Sequence, residues 1–404
     1  MLIDACNPML CPIHVFRYEG RRLAKLVAGF TDPSGATKYN CSGIFDSYLH
    51  NNTTPPGRMD CAFLLIDYSA AGTDAEIQAL PTAKSFKLSA YGWDDRDALG
   101  FFRSAWGVES EGATGKHAYL AFKAANGLPN HNDLDGGTFV FEAGGQRWGM
   151  DMGSDTYSLK NYFSQNLKYR YGYYRKSTAG HNTLTFDNDG LDNSNRGACD
   201  QEPGANGITA ITLFAGSDTH KDDGTTAGRS SPAYSIVDLT AAYTPQNSSR
   251  VERGFAFTEH HAHLLIVDEF EFPAGSTLRN ATWTMHTMAA IRLLTAGTSG
   301  GGGGGGGGTA ELSLGGVRLH ATVLEPPGAV FSAAAVDLQP PQKPSVGVSK
   351  LQVHVNLTAS AAAEAGTAAA PVGRIVVGLS LSAAAAAVTP NALAQWKVAG
   401  PFAG

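Results

Sequence analysis

The chain has 404 residues, 43% of them hydrophobic and 16% charged, with a formal net charge of −6 and a pI near 6.0. That length can bury a large core, and the negative balance excludes a general attraction to nucleic acid or to an anionic membrane surface. No apolar run reaches the ~20 residues of a membrane-spanning helix, and five cysteines without a close pair give neither a disulfide framework nor a zinc ribbon.

Taken in order, Pro12 to Ala28 carries apolar residues at helical spacing with a basic face, and predicts one helix before a Gly/Pro break. From Phe63 the texture changes to short alternating or apolar runs cut by Gly, Asn, Asp and Pro. These are FFRSAW (101–106), HAYLAFKA (117–124), GTFVFEA (137–143), NTLTF (182–186), ITAITLFA (208–215), YSIVDL (234–239) and HLLIVDEFEF (263–272). Short strands with frequent turn signals predict antiparallel β layers in a sandwich, not a βαβ array. Gly300 to Gly308 is an unbroken glycine run, read as a flexible insertion or linker. The strand-like pieces after it (AELSLGG, RLHATVLE, LQVHVNL, GRIVVGLSL) predict a smaller second β domain.

One strand is bracketed by acids. NHNDLDGG (130–137) places His131, Asp133 and Asp135 ahead of it, and DMGSD (151–155) follows a bend at Gly144-Gly145. An aromatic-rich crossing then leads to GHNTL at His181. A histidine and acids from successive strand ends can converge if the strands are neighbours; spacing alone leaves open whether they do. Within the crossing, KYRYGYYRK (168–176) reads as an exposed alternating strand, or as a basic face toward nucleic acid or an anionic glycan. DNDGLDNSN (187–195) lacks the glycine and glutamate of a calcium loop and reads as an acidic turn.

The stretch AYLAFKAANGLPNHNDLDGGTFVFEAGGQRWGMDMGSDTYSLKNYF, with YYRKSTAGHNTLTF after it, resembles the heparinase II/III family of polysaccharide lyases. The pattern is an H-x-H-x-D turn, a strand, D-x-G-x-x-x-Y, a Tyr-Phe pair and G/A-H-N-T-L. The resemblance is dense from about Phe101 to Phe186 and fades toward Trp283–Thr287. It implies a mostly β fold, an antiparallel super-β-sandwich preceded by a short helical remnant of an (α/α) toroid. Its domains would be 1–58 helical, 59–298 sandwich, 299–308 glycine linker and 309–404 a smaller β domain.

It further implies β-elimination on a uronic-acid glycan of heparan, chondroitin or alginate type. Alternatives are a uronyl C5-epimerase or a non-catalytic carbohydrate-binding β protein. His131 matches a proton-transfer histidine and Tyr162 a tyrosine lining the cleft. Asp133, Asp151 and His181 match the ligands of one divalent metal, zinc before manganese or calcium, and chiefly structural. Asp133 stands where the family pattern has a histidine. The expected partner is an acidic polysaccharide, with no nucleic acid and no membrane insertion. Sequons at Asn40, Asn51, Asn52, Asn247, Asn280 and Asn356 lean toward a secretory or extracellular setting. Most of the toroid, which in the family helps to neutralise the substrate carboxylate, is expected to be missing from this chain.

Overall fold

The computed structural model describes residues 90–92, 99–103, 118–124, 132–164, 166–187, 200–202, 210–215, 233–258, 263–294, 308–357, 372–382 and 389–402. Ala5–Lys87 form one unit of the chain, and every described residue lies in the other, Met1–Asp4 with Leu88–Gly404. The expected N-terminal helix, His131, the acidic turn from Asn188 onward and the glycine run up to Gly307 lie outside the described residues.

The fold is mostly β and antiparallel. A five-stranded sheet runs in chain order through β1 (Ala90–Gly92), β2 (Leu99–Arg103), β3 (Ala118–Lys123), β4 (Phe139–Ala143) and β5 (Gln146–Gly149). A four-stranded sheet contains β6 (Leu184–Phe186), β11 (Asn280–Thr287), β15 (Phe331–Ala335) and β16 (Ser349–Asn356), in the order β15-β16-β11-β6. The third sheet has eight strands. They are β7 (Ala210–Ala215), β8 (Ala233–Asp238), β9 (Arg250–Thr258), β10 (His263–Glu271), β12 (Ala290–Leu294), β13 (Thr309–Leu314), β14 (Val317–Glu325) and β17 (Val372–Ser380). Their order is β12-β13-β14-β17-β10-β9-β8-β7.

The strands after the glycine run do not form a separate domain, contrary to expectation. β17 pairs along its whole length with β10, and β16 pairs with β11, so the eight-stranded and the four-stranded sheets are each built from both sides of the run. The run interrupts a hairpin, since Leu294 at the end of β12 pairs with Thr309 at the start of β13.

Period-two alternation decides what faces inward. Along β9, Val251, Phe255 and Phe257 point into the core, and Leu264, Ile266 and Phe270 of β10 join them. The five-stranded sheet packs on this face, with Phe122 stacked on Phe255 at 4.6 Å between centroids. The four-stranded sheet reaches the same face through Phe186 against Phe270 at 5.2 Å. Phe139 of β4 touches both Phe255 and Trp283 of β11, joining the three sheets in one core. On the opposite face of the eight-stranded sheet, a helix, α2 (Leu393–Ala399), lays Leu393 and Trp396 over Ile236, Ala256 and Val267.

Two inward positions of β9 and β10 are charged. Arg253 and Asp268 face each other across the pair, both fully buried, with Arg253 Nε and Nη2 donating to Asp268 Oδ1 and Oδ2 at 2.7 and 2.9 Å. Arg253 Nη1 also donates to the carbonyls of Gly137 and Asn182, each at 2.7 Å. Removing one partner leaves the other charge buried and alone, so Arg253→Met is expected to lower the unfolding free energy by ~3–5 kcal/mol. In urea unfolding, the double variant Arg253→Met/Asp268→Leu should lie closer to wild type than the single one. A double variant as unstable as the single would show that the two carbonyl bonds, not the ion pair, carry the effect.

Candidate functional site

The acidic turn is fixed from several directions. Gly137 adopts φ +80° and its N–H donates to Lys123 O at 2.8 Å, closing the turn onto the end of β3. The Gln201 amide brackets Gly136, accepting from its N–H and donating to its carbonyl, both at 2.8 Å, and Thr183 Oγ1 donates to the same carbonyl at 2.7 Å. Asp135 is ion-paired with Lys123 at 2.6 Å. At the far end of β4, Gly144 and Gly145 both take positive φ, which a two-residue hairpin turn needs, and the chain returns along β5 to Asp151.

Asp151 and His181 meet. Both are buried, with His181 Nδ1 2.9 Å from Asp151 Oδ2, and the Gly153 N–H donates to Asp151 Oδ1 at 2.6 Å. Burial alone would raise the Asp151 pKa, but the hydrogen bond and charge of His181 hold it well below the usual carboxylate range. Burial would likewise lower His181, and the Asp151 carboxylate, with Asp135 and Asp133 behind it, raises it instead. His181 Nε2 is buried without a hydrogen-bond partner among the described residues.

Asp133 goes elsewhere. Its Oδ1 lies 2.6 Å from Lys176 Nζ, and Lys176 is only 2% exposed. Zinc sites draw on three or four protein donors. Here Asp151 and His181 supply one carboxylate and one imidazole, while the third expected ligand is taken by an ammonium group. Among the described residues no group of three or more His, Cys, Asp or Glu could hold a metal ion. The three residues expected to share one divalent ion therefore do not fit it as a set.

Tyr162 is buried. Its hydroxyl accepts from the Asp155 N–H at 3.1 Å, and its ring contacts Tyr157, Phe163 and Tyr173. Lys176 Nζ lies 4.7 Å from the ring centroid on its face. Burial pushes the Tyr162 hydroxyl up to about 12. Toward solvent, Tyr157 and Phe163 are 43% and 38% exposed.

The basic aromatic run is not an exposed strand. It folds as a short helix, α1 (Leu167–Arg170), then a 3-10 turn over Tyr174–Lys176. Arg170, Tyr171, Tyr174, Arg175 and Lys176 are buried. Arg175 donates to Met152 O and lies 3.9 Å from Asp155, so this run supplies counter-charges to both acidic clusters.

Sequence reasoning passed over Asn182 and His286. The Asn182 amide donates to Phe139 O and Met150 O at 2.8 and 3.0 Å and accepts from the His286 N–H at 2.6 Å, so one side chain joins β4, the segment before Asp151, and β11. His286 Nδ1 is 3.1 Å from the same Asn182 oxygen, and its Nε2 is 2.9 Å from Tyr174 Oη. The signal was the asparagine inside GHNTL, where a side chain with two donors and an acceptor can serve three backbone groups.

The family model described as "Heparinase II/III-like, C-terminal" matches residues 97–377. The chain belongs to that family. A search of curated proteins finds no match. Among solved structures, a heparinase III with methylated lysines is 14% identical with a TM-score of 0.47, covering 75% of this chain and 37% of that one. The heparan sulfate lyase HepC from Pedobacter heparinus is 13% identical with a TM-score of 0.44, covering 70% of this chain and 34% of that one. This chain thus spans about a third of the length of the heparinase II/III-family structures it matches.

The neutral state of His286 has a pH consequence. Burial lowers its pKa from 6.5 to about 3, with the charges of His181 and Lys350 adding to the effect. The unfolded chain takes up this proton below pH 6.5 and the folded chain does not, so the stability it contributes is present above 6.5 and is lost as pH falls toward 3. Wild-type stability should fall by up to about 1.4 kcal/mol per pH unit in this window. Denaturant unfolding between pH 6.5 and about 5, above most carboxylate titration, should show a flatter slope for His286→Gln. Equal slopes would mean that His286 protonates in the folded state.

Proposed function

We propose that this chain is the β-sandwich part of a polysaccharide lyase that cleaves uronic-acid glycans by β-elimination. The observation that carries the reading is the family match over residues 97–377, which spans the strands framing His131, Asp151, Tyr162 and His181.

In this reaction the C5–H bond breaks, its electron pair forms the C4=C5 double bond, and the C4–O4 bond breaks as O4 takes a proton. His131, next to the tied turn at Asn132–Leu134, is the base, since imidazole takes a proton near neutral pH. Tyr162 supports the other role. A phenol is protonated at neutral pH and burial holds it further from ionising; that proton has no acceptor among the described residues, so the group suits donation to O4 over abstraction at C5. The substrate's own carboxylate needs neutralising donors as well, and these are expected on the toroid side. The partner is an acidic polysaccharide, and the setting extracellular or in the cell envelope. Among the described residues no helix is long and apolar enough to cross a membrane.

The test uses the longest form that the gene encodes, incubated with heparan, chondroitin and alginate while the ultraviolet absorbance of the new double bond is followed. Tyr162→Phe keeps the ring over Lys176 and removes only the hydroxyl. It should cost ~100- to 1000-fold in kcat, in the range of losing one transition-state donor, with the melting temperature falling by only a few degrees as the Asp155 N–H loses its acceptor. Full turnover by this variant would leave Tyr162 a packing residue. Exchange of the C5 proton without absorbance would favour the epimerase, and silence on every polymer the binding protein.

A further inference from the structure

We infer that the Lys176 ammonium is the resident cation of this site, tying the acidic turn to the segment before His181 without a divalent metal. The inference rests on the donor geometry and stands whether or not the protein turns over glycan.

A lysine has three N–H donors and no acceptor, so a buried one must place three bonds or remain costly. Lys176 places two of them on oxygen atoms and sets its charge over an aromatic ring. Nζ is 2.6 Å from Asp133 Oδ1 and 3.1 Å from Asn132 O, and it lies 4.7 Å from the Tyr162 ring centroid, with the Tyr171 ring at 5.9 Å. A carboxylate, a carbonyl and an aromatic face form a complete shell for a monovalent cation. The backbone closes the same contact, because the Leu134 N–H donates to Lys176 O at 2.9 Å. Residues 132–134 are thus held three times by one residue, and His131 is covalently the next in line.

That is the work an ion shared by Asp133, Asp151 and His181 would do. A divalent ion on Asp133 would sit within a few ångströms of Nζ, two like charges in a largely buried site. The other two expected ligands satisfy each other at 2.9 Å. Of the buried donor atoms of these three side chains, His181 Nε2 is the one without a hydrogen-bond partner among the described residues, where three or four ligands are needed. The departure from the family pattern at Asp133 follows the same logic: a carboxylate can pair with an ammonium group, and a neutral histidine cannot.

The experiment measures metal content and melting temperature, neither of which depends on activity. The full chain is purified without chelator and assayed for bound metals, then melted with and without EDTA. Far less than one ion per chain is expected, with no EDTA shift. Lys176→Met should lower the melting temperature by roughly 5–10 °C, because it strands a buried carboxylate. Lys176→Met/Asp133→Asn should regain more than half of that loss, which a purely steric role for the lysine would not allow. One tightly held divalent ion per wild-type chain, with a melting temperature that falls in EDTA, would overturn the inference. So would a Lys176→Met protein that melts with the wild type. If Lys176→Met does not fold, the wild-type metal content and EDTA response decide the matter alone.

Discussion

The sandwich depends on a charge placed where an apolar side chain would be easier. Arg253 and Asp268 stand on the inward faces of adjacent strands, in line with Phe255, Phe257, Ile266 and Phe270. Desolvating such a pair is costly, and is offset only when geometry is good and the remaining donors are used. Here the guanidinium holds Asp268 through two bonds and spends Nη1 on the carbonyls of Gly137 and Asn182. Those carbonyls come from the segments that lead into β4 of the five-stranded sheet and β6 of the four-stranded sheet. A hydrophobic pair would pack the sandwich equally well and leave the relative placement of these two segments unspecified.

From that point the order passes outward through Asn182. With its backbone carbonyl on Arg253 and its side chain on Phe139, Met150 and His286, this residue is fixed at both ends. The segments that carry Asp151 and His181 are therefore set by the same residue, and the 2.9 Å contact between those two side chains follows from where Asn182 holds Met150. Asp133 is placed differently, by Lys176, whose own position comes from the 3-10 turn after Tyr173. Two independent anchors thus converge on one neighbourhood, one through an amide and one through an ammonium.

Alternation made the strands legible. NTLTF and HLLIVDEFEF each contain an observed strand, GRIVVGLSL overlaps all but the first residue of another, and Gly144-Gly145 is the hairpin turn that its two glycines suggest. The second domain was misread because composition marks an interruption of the chain, while sheet membership is decided by pairing. A long insertion between hairpin strands is tolerated, since closure entropy grows only slowly with loop length, and β12 and β13 pair across it. KYRYGYYRK was misread for a related reason. Its alternation of basic and aromatic residues looks like a solvated strand, yet its charges are answered by acids up to 43 residues earlier. Long-range ion pairs leave no local trace in a sequence.

The acids that bracket β4 and β5 acquire a common explanation from these pairings. Asp135 meets Lys123, Asp133 meets Lys176, Asp151 meets His181, and Asp155 lies beside Arg175 and accepts from the Lys343 N–H. Each carboxylate is matched by a cation or donor from a segment distant in the chain, so the cluster is an assembly device before it is a reactive one. This constrains the chemistry. Cations already committed to internal carboxylates are poor partners for a polyanionic glycan, because recruiting one would strand a buried acid. In the proposed lyase reading, the charge that meets a uronate would then come from groups outside this network. The network's contribution in that reading would be geometric: it holds the backbone of Asn132, next to His131, and the ring of Tyr162 in one place.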